Sequence, residues 1–218
     1  MKIKEKGVIW DFGGVVTSSP FDNFKEFETR RNLPVGFIRM VNSQNSDSNA
    51  WALLEKGEID NTIFDDMFLE ESRDMGHPIK GGDVLPLINC DIRDEVVLII
   101  QKLKVLGFSQ LCLTNNIIKP PLSTELYCDD YHVKIKNVME CFDFILESSK
   151  LGIRKPDARI YQLAIEKIGL SPDEIVYFDD LGINLKPAKK LGVRTIKVLS
   201  ENQLINELRN IFPEAFKS

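Results

Sequence analysis

Three apolar runs in this 218-residue chain, and one stretch at the mouth of a helix, stop at side chains that can do chemistry. Asp11 follows Gly7-Val8-Ile9-Trp10, Thr114 follows Leu111-Cys112-Leu113, Lys155 follows SSKLGIR, and Asp179-Asp180 follow Ile175-Val176-Tyr177-Phe178. Apolar runs this short, bounded by glycine and polar residues, read as buried strands ending in loops. The carboxyl ends of parallel strands emerge on one edge of a sheet, where open α/β sheets bind their ligands. A carboxylate, a hydroxyl, an ammonium and an acid pair can therefore converge. That set suits phosphoryl transfer: a carboxylate attacks phosphorus, a cation spreads the charge, and a hydroxyl with backbone amides holds the oxygens. Clustered acids repel one another unless a divalent cation sits among them, and all-oxygen ligation points to magnesium.

Taken singly, each residue has a plainer reading. An Asp at a strand end more often closes a turn. Thr114-Asn115-Asn116 reads as a polar loop, Arg154-Lys155-Pro156-Asp157 as a helix start with a solvated Lys, and either Asp179 or Asp180 as a helix cap. Four such coincidences at four strand ends favour the joint reading. A receiver domain uses a similar kit, but its acid pair comes first in the chain, whereas here the single Asp does.

The elements that must position these residues are visible in the hydrophobic pattern. From residue 91 onward strands and helices alternate. Val96, Ile99, Ile100, Leu103 and Leu106 lie at helical spacing before Gly107. QLCLT is a strand, Phe144-Ile145-Leu146 another, and KPDARIYQLAIEKIG a helix with Pro156 near its first turn and Gly169 at its end. EIVYFDD, then NLKPAKKLG with Pro187 inside, then TIKVL give strand, helix or helix pair, and strand. This alternation implies βαβ units and a mostly parallel sheet. Residues 17–90 differ. Phe24, Phe27, Trp51, Leu54, Ile63, Phe64, Met67 and Phe68 recur at helical intervals, two helices meet at Gly57, and NSQNSDSNA at 42–50 is a loop. Asp11 must share a sheet with the later strands, so the fold class is α/β with a Rossmann-like parallel sheet core at 1–16 and 91–218, and an inserted α-helical cap at 17–90. The cap's aromatic residues, Phe21 included, read as its own core, with the option that a few line an apolar pocket.

A net charge of −5 without a Lys/Arg stripe argues against nucleic acid as a partner. Cys90, Cys112, Cys128 and Cys141 are scattered without a CxxC pair, which predicts neither a disulfide framework nor zinc, and a cytoplasmic protein. Lys2, Lys4 and Lys6 precede an acid at Asp11 too closely for a signal peptide, and no membrane span is expected.

The order Asp11, Thr114, Lys155, Asp179-Asp180 resembles that of the haloacid dehalogenase-like hydrolases with a helical cap after the first motif. TSSPF, CLTNN and the long stretch KLGIRKPDARIYQLAIEKIGLSPDEIVYFDDLGINLKPAKKLG are similar to the N-terminal phosphatase domain of soluble epoxide hydrolases. The α/β-hydrolase half is absent here, so the resemblance implies no epoxide hydrolysis. It implies Asp11 as the nucleophile forming an aspartyl-phosphate. It implies a magnesium site made by Asp11, the Gly13 carbonyl and Asp180 with Asp179 beside it, and phosphoryl binding by Thr114 and Asn115. Lys155 would neutralise Asp11 and the phosphate, and Asn184 would support the acid pair. The expected substrate is a small phosphoester.

One residue departs from the family's pattern. Phosphatases of this family carry an Asp two residues after the nucleophile, which protonates the leaving alcohol and then activates water; here that position is Gly13. Losing a positioned acid/base typically slows a reaction ~10²–10⁴-fold, or about 3–5 kcal/mol of barrier. Three readings follow in order: a magnesium-dependent phosphatase of reduced activity, a non-catalytic phosphate- or magnesium-binding protein, and a haloacid dehalogenase.

Overall fold

The computed structural model of the protein describes residues 4–117 and 130–217; Cys128 lies outside them. The first strand, β1 (Gly7–Trp10), runs into a tight loop at Phe12–Val16. Five helices follow: α1 (Pro20–Arg30), α2 (Phe37–Ser43), α3 (Ala50–Glu55), α4 (Asn61–Asp74) and the short α5 (Gly81–Val84). Next come α6 (Asp94–Val105), β2 (Ser109–Thr114), α7 (Asp130–Met139), β3 (Phe144–Glu147), the single turn α8 (Ser148–Leu151) and α9 (Ala158–Ile168). The chain closes with β4 (Ile175–Asp179), α10 (Gly182–Lys190), β5 (Arg194–Lys197) and α11 (Glu201–Ile211).

Among the described residues these strands form one five-stranded sheet in the order β3-β2-β1-β4-β5, every pair parallel. Trp10 lies between Cys112 and Phe178 in the register, so β1, β2 and β4 end nearly level. The strand order reverses at β1, which places the ligand crevice of an α/β sheet beyond the ends of β1 and β4. Asp11 and Asp179-Asp180 stand there.

Because side chains alternate across a strand, the sheet feeds two cores. Val8, Trp10, Cys112, Val176 and Phe178 pack with Val96, Ile100 and Leu103 of α6 and Leu204 and Leu208 of α11. Ile9, Leu111, Leu113, Ile175 and Tyr177 pack with Ile160 and Ala164 of α9 and Ala188 of α10. Cys112 is thus a buried apolar side chain, as its setting in QLCLT predicts. Trp10 is wholly buried with its indole N–H donated to Gln110 Oε1 at 3.2 Å, and Gln110 in turn donates to the Ile100 carbonyl at 2.9 Å.

Helices α1–α5 enclose a third core built on Phe24, Phe27, Phe37, Phe64 and Phe68. The chain leaves and re-enters the sheet domain side by side. Thr17 and Ile92 form an antiparallel bridge, and Ser18 N donates to the Asp91 carbonyl at 2.8 Å.

Three local details complete the helices. Helix α9 starts at Ala158 with the Asp157 carboxylate as its cap, and Pro156 stands just before that cap, near the first turn. Pro187 lies inside one continuous helix, α10, five residues past its start, where it removes one i→i−4 hydrogen bond without ending the helix. Helices α7 and α11 are absent from the sequence reading, although Leu204, Ile205, Leu208 and Ile211 form a clear apolar stripe. Among the described residues no helix is long and apolar enough to cross a membrane.

Candidate active site

Asp11 begins the loop after β1. Its backbone N–H still joins the sheet through the Phe178 carbonyl at 2.9 Å, while its Oδ1 accepts from Phe12 N at 2.7 Å. The loop then turns sharply at Gly14, whose φ of +75° lies in the left-handed region. A Cβ at Gly14 would stand 2.4 Å from Asp180 Oδ2, so glycine is needed for shape as well as for conformation. Arg93, entering α6, donates to the Gly14 and Val15 carbonyls at 2.9 and 3.2 Å and ties down the far side of the loop.

Lys155 is 1% exposed, and its ammonium spends each of its protons on a defined acceptor. These are Asp11 Oδ1 at 2.8 Å, Asp179 Oδ2 at 2.9 Å and the Leu113 carbonyl at 3.0 Å. Asn115 holds the lysine's backbone from both sides: its Oδ1 accepts from Lys155 N at 2.9 Å and its Nδ2 donates to the Lys155 carbonyl at 3.1 Å. Thr114 ends β2 next to Leu113 and is also buried.

Asp179 has no solvent exposure and accepts from all around. Leu181 N reaches Oδ1 at 2.8 Å, Asn184 Nδ2 reaches Oδ1 and Oδ2 at 3.0 and 3.1 Å, and the Tyr177 hydroxyl donates to Oδ2 beside Lys155. Asp180 is less enclosed. Burial and the charge of Asp179 push its carboxyl up to about 6, against the opposing pull of Lys155 and Arg93. Burial likewise pushes the Asp11 carboxyl up, with Lys155 opposing and Asp179 and Asp180 adding to it. For Lys155, burial favours the neutral amine, but Asp11 and Asp179 outweigh it and hold the ammonium charged.

The structure brings Asp11, Thr114, Asn115, Lys155, Asp179, Asp180 and Asn184 to one edge of the sheet, with Gly13 in the loop above it. Carboxylate oxygens of Asp11, Asp179 and Asp180 lie within 4.8 Å of one another. Three carboxylates against one ammonium leave two negative charges in excess, in a cradle that Gly14 keeps open beside Asp180. An oxygen-only pocket with that charge suits a hard divalent cation. The oxygens of Asp179 are already shared among four donors, so Asp11 and Asp180 are the freer ligands. Gly13 has ordinary extended angles (φ −68°, ψ 131°), and nothing lies within 4 Å of where its Cβ would be.

Several residues of the site escape the sequence reading. Glu55, at the end of α3, pairs with Arg154 Nε at 2.6 Å and accepts from Asn115 Nδ2 at 3.3 Å and Trp51 Nε1 at 3.0 Å. The Ser148 hydroxyl donates to the Glu55 carbonyl at 2.6 Å, and Arg154 reaches the Ser46 carbonyl at 2.8 Å. The helical block is thereby latched onto the loops that carry Thr114 and Lys155. Nothing in the spacing of Glu55 or Arg93 signals these contacts. Tyr177 does leave a trace, a hydroxyl inside an otherwise apolar strand.

The model of the haloacid dehalogenase-like hydrolases matches residues 5–192, and the chain belongs to that family. It is 31% identical over 209 residues to mouse (Mus musculus) acyl-CoA dehydrogenase family member 10, covering 93% of this chain and 19% of that protein. It is 34% identical over 113 residues to bifunctional epoxide hydrolase 2 of Sus scrofa, covering 50% of this chain and 19% of that one. The chain thus spans about a fifth of the length of these curated relatives. Its fold matches a HAD family enzyme from Bacteroides thetaiotaomicron solved with magnesium and inorganic phosphate, with a TM-score of 0.59, 22% identity, and 90% and 96% of the two chains covered.

Proposed function

We propose that the protein is a magnesium-dependent phosphatase acting on a small phosphoester through an aspartyl-phosphate on Asp11. The observation that carries this reading is the buried Lys155 ammonium, bonded at once to Asp11 and Asp179 in a pocket with excess negative charge. Residues 1–16 and 91–218 form the catalytic core in this reading, and residues 17–90 the cap that covers it and excludes water. A magnesium ion held by Asp11, Asp180 and the Gly13 carbonyl, with Asp179 adjoining, would supply charge neutralisation for the phosphoryl oxygens. The neighbour crystallised with magnesium and phosphate supports this assignment by fold. So does a 34% identical, 59-residue match to a glyceraldehyde 3-phosphate phosphatase of Methanocaldococcus jannaschii.

The chain's own residues divide the work. An Asp11 carboxylate oxygen attacks phosphorus, the P–O bond to the leaving group breaks, and the leaving oxygen departs with the bonding pair. Water then attacks the same phosphorus, releasing inorganic phosphate and restoring the carboxylate. Lys155 opposes the upward push of burial on the Asp11 carboxyl and aims it. The Thr114 hydroxyl and the backbone around Asn115 hold phosphoryl oxygens, while the Asn115 side chain keeps Lys155 in place. Gly13 offers no proton to the departing oxygen, so turnover is slow for alkyl esters and faster for leaving groups stable as anions.

Magnesium-dependent release of p-nitrophenol from p-nitrophenyl phosphate tests this reading, with Asp11→Asn as control. The expected result is turnover that is lost on chelation and in the variant. No turnover above that of the variant would move the assignment to a non-catalytic phosphate- or magnesium-binding protein, which the bare Gly13 favours. A dehalogenase is the weaker reading, because attack on carbon has no use for so concentrated a negative pocket.

A further inference from the structure

We infer that Tyr177 is a positioning residue, whose buried hydroxyl holds Asp179 so that Lys155 stays on Asp11. Tyr177 lies in β4 with its ring fully buried among Ile9, Leu111, Leu113, Ile160 and Ala164. Phenylalanine would fill this place without bringing a polar group into an apolar core, and burying a hydroxyl is costly unless it is bonded. The hydroxyl stands beside that of Tyr161 and donates to Asp179 Oδ2, the oxygen that also accepts from Lys155 Nζ at 2.9 Å. The other donors serve Oδ1 or straddle both oxygens, Leu181 N to Oδ1 at 2.8 Å and Asn184 Nδ2 to the pair at 3.0 and 3.1 Å.

Lys155 is contested by two carboxylates at nearly equal range, 2.8 Å to Asp11 and 2.9 Å to Asp179. A hydrogen bond to an anionic oxygen takes up part of its charge. Without the tyrosine's proton, Oδ2 turns that charge on its remaining strong donor, the ammonium, which moves toward Asp179 and away from Asp11. Tyr177 thus sets how one lysine is divided between a structural carboxylate and the nucleophile. Tyr161 is an internal comparison. Its ring packs edge-on against that of Tyr177 at 5.9 Å between centroids, yet its hydroxyl is not among the donors to Asp179.

The test compares Tyr177→Phe with Tyr161→Phe, each removing one buried oxygen and leaving the ring. Crystal structures report the Lys155–Asp11 separation, and turnover of p-nitrophenyl phosphate with magnesium reports kcat and KM. Y177F is expected to lengthen the 2.8 Å contact beyond hydrogen-bonding range and to lower kcat roughly tenfold, with KM changed less than about twofold. Its Tm stays within about 2–4 °C of the parent. Y161F is expected to leave the contact and kcat in place. A Y177F protein with Lys155 still on Asp11 and kcat unchanged overturns the inference, as does an equal fall in kcat for both variants, which would mark a packing effect. The kinetic arm rests on the phosphatase reading. Should the parent protein show no turnover, that reading fails by itself, and the lysine's position in Y177F still decides the inference.

Discussion

Replacing Gly13 by Asp puts a carboxyl where the family's phosphatases carry their acid/base, and the structure says what the change costs. At φ −68° and ψ 131° the position is extended backbone open to any residue, and its Cβ would meet nothing within 4 Å. Replacing glycine at a compatible site even favours the folded state by about 0.4–1 kcal/mol through the unfolded chain. The opposing term is electrostatic, since a fourth carboxylate joins a pocket already in excess by two negative charges. Those neighbours favour its protonated form, and a protonated carboxyl is what the leaving oxygen needs. Turnover of an alkyl phosphate should therefore rise ~10²–10⁴-fold, about 3–5 kcal/mol of barrier. The gain should shrink as the leaving group becomes a better anion. The assay is phosphate release across a series from alkyl to nitrophenyl esters with saturating magnesium. G13D should flatten the dependence of log kcat/KM on leaving-group pKa. A folded G13D protein with the parent's rates and the parent's slope would refute the claim that a missing proton donor limits this site.

The adjacent glycine should behave oppositely. Gly14→Ala forces a side chain into left-handed backbone, at about 1–2 kcal/mol, and drives its Cβ against Asp180 Oδ2, so thermal denaturation should show a loss of at least that size together with weakened magnesium binding. Lys155→Met leaves Asp11 and Asp179 buried without their cation; a loss of about 3–5 kcal/mol is expected in denaturant unfolding, along with activity. The Asp180 carboxyl, held near 6 by burial and Asp179, binds its proton more tightly folded than unfolded. Cation-free protein should therefore gain up to roughly 3 kcal/mol as pH falls through 6 toward the ordinary carboxylate value, and lose it as pH rises. Magnesium favours the charged form, so its stabilisation measured by Tm should be larger at about pH 7.5 than at about pH 5; an equal shift at both would contradict the assignment of Asp180 to the cation. Glu55→Ala breaks the partly buried pair with Arg154 and frees Asn115, and should raise protease sensitivity of the α3 region and lower kcat several-fold, with only about 1 kcal/mol lost in stability.

Much of this protein was legible along the chain, because its determinants are local. Apolar runs of four or five residues ending in Asp11, Thr114 and Asp179 fix strands and place those groups at strand ends. The helical spacing of Val96, Ile99, Ile100 and Leu103 fixes a covering helix. The break in pattern after the first strand marks the helices α1–α5, and their aromatic residues do form a core of their own. What each polar atom bonds to could not be read this way. Asn115, expected on the phosphoryl group, spends its side-chain amide on the backbone of Lys155, 40 residues on. Asp179 and Asp180 are adjacent and identical in type, yet the first is shared among four donors and the second faces the cradle that Gly14 leaves open. Glu55 reaches the site only because α3 is set down over the loop at Arg154. Periodicity depends on neighbours a turn or a pleat away, so the sequence by itself determined which residues would stand at the sheet's edge. Charge placement and proton sharing depend on groups far apart in the chain, Asp11, Lys155 and Asp179 among them, meeting in one buried place, and only the tertiary structure decided those.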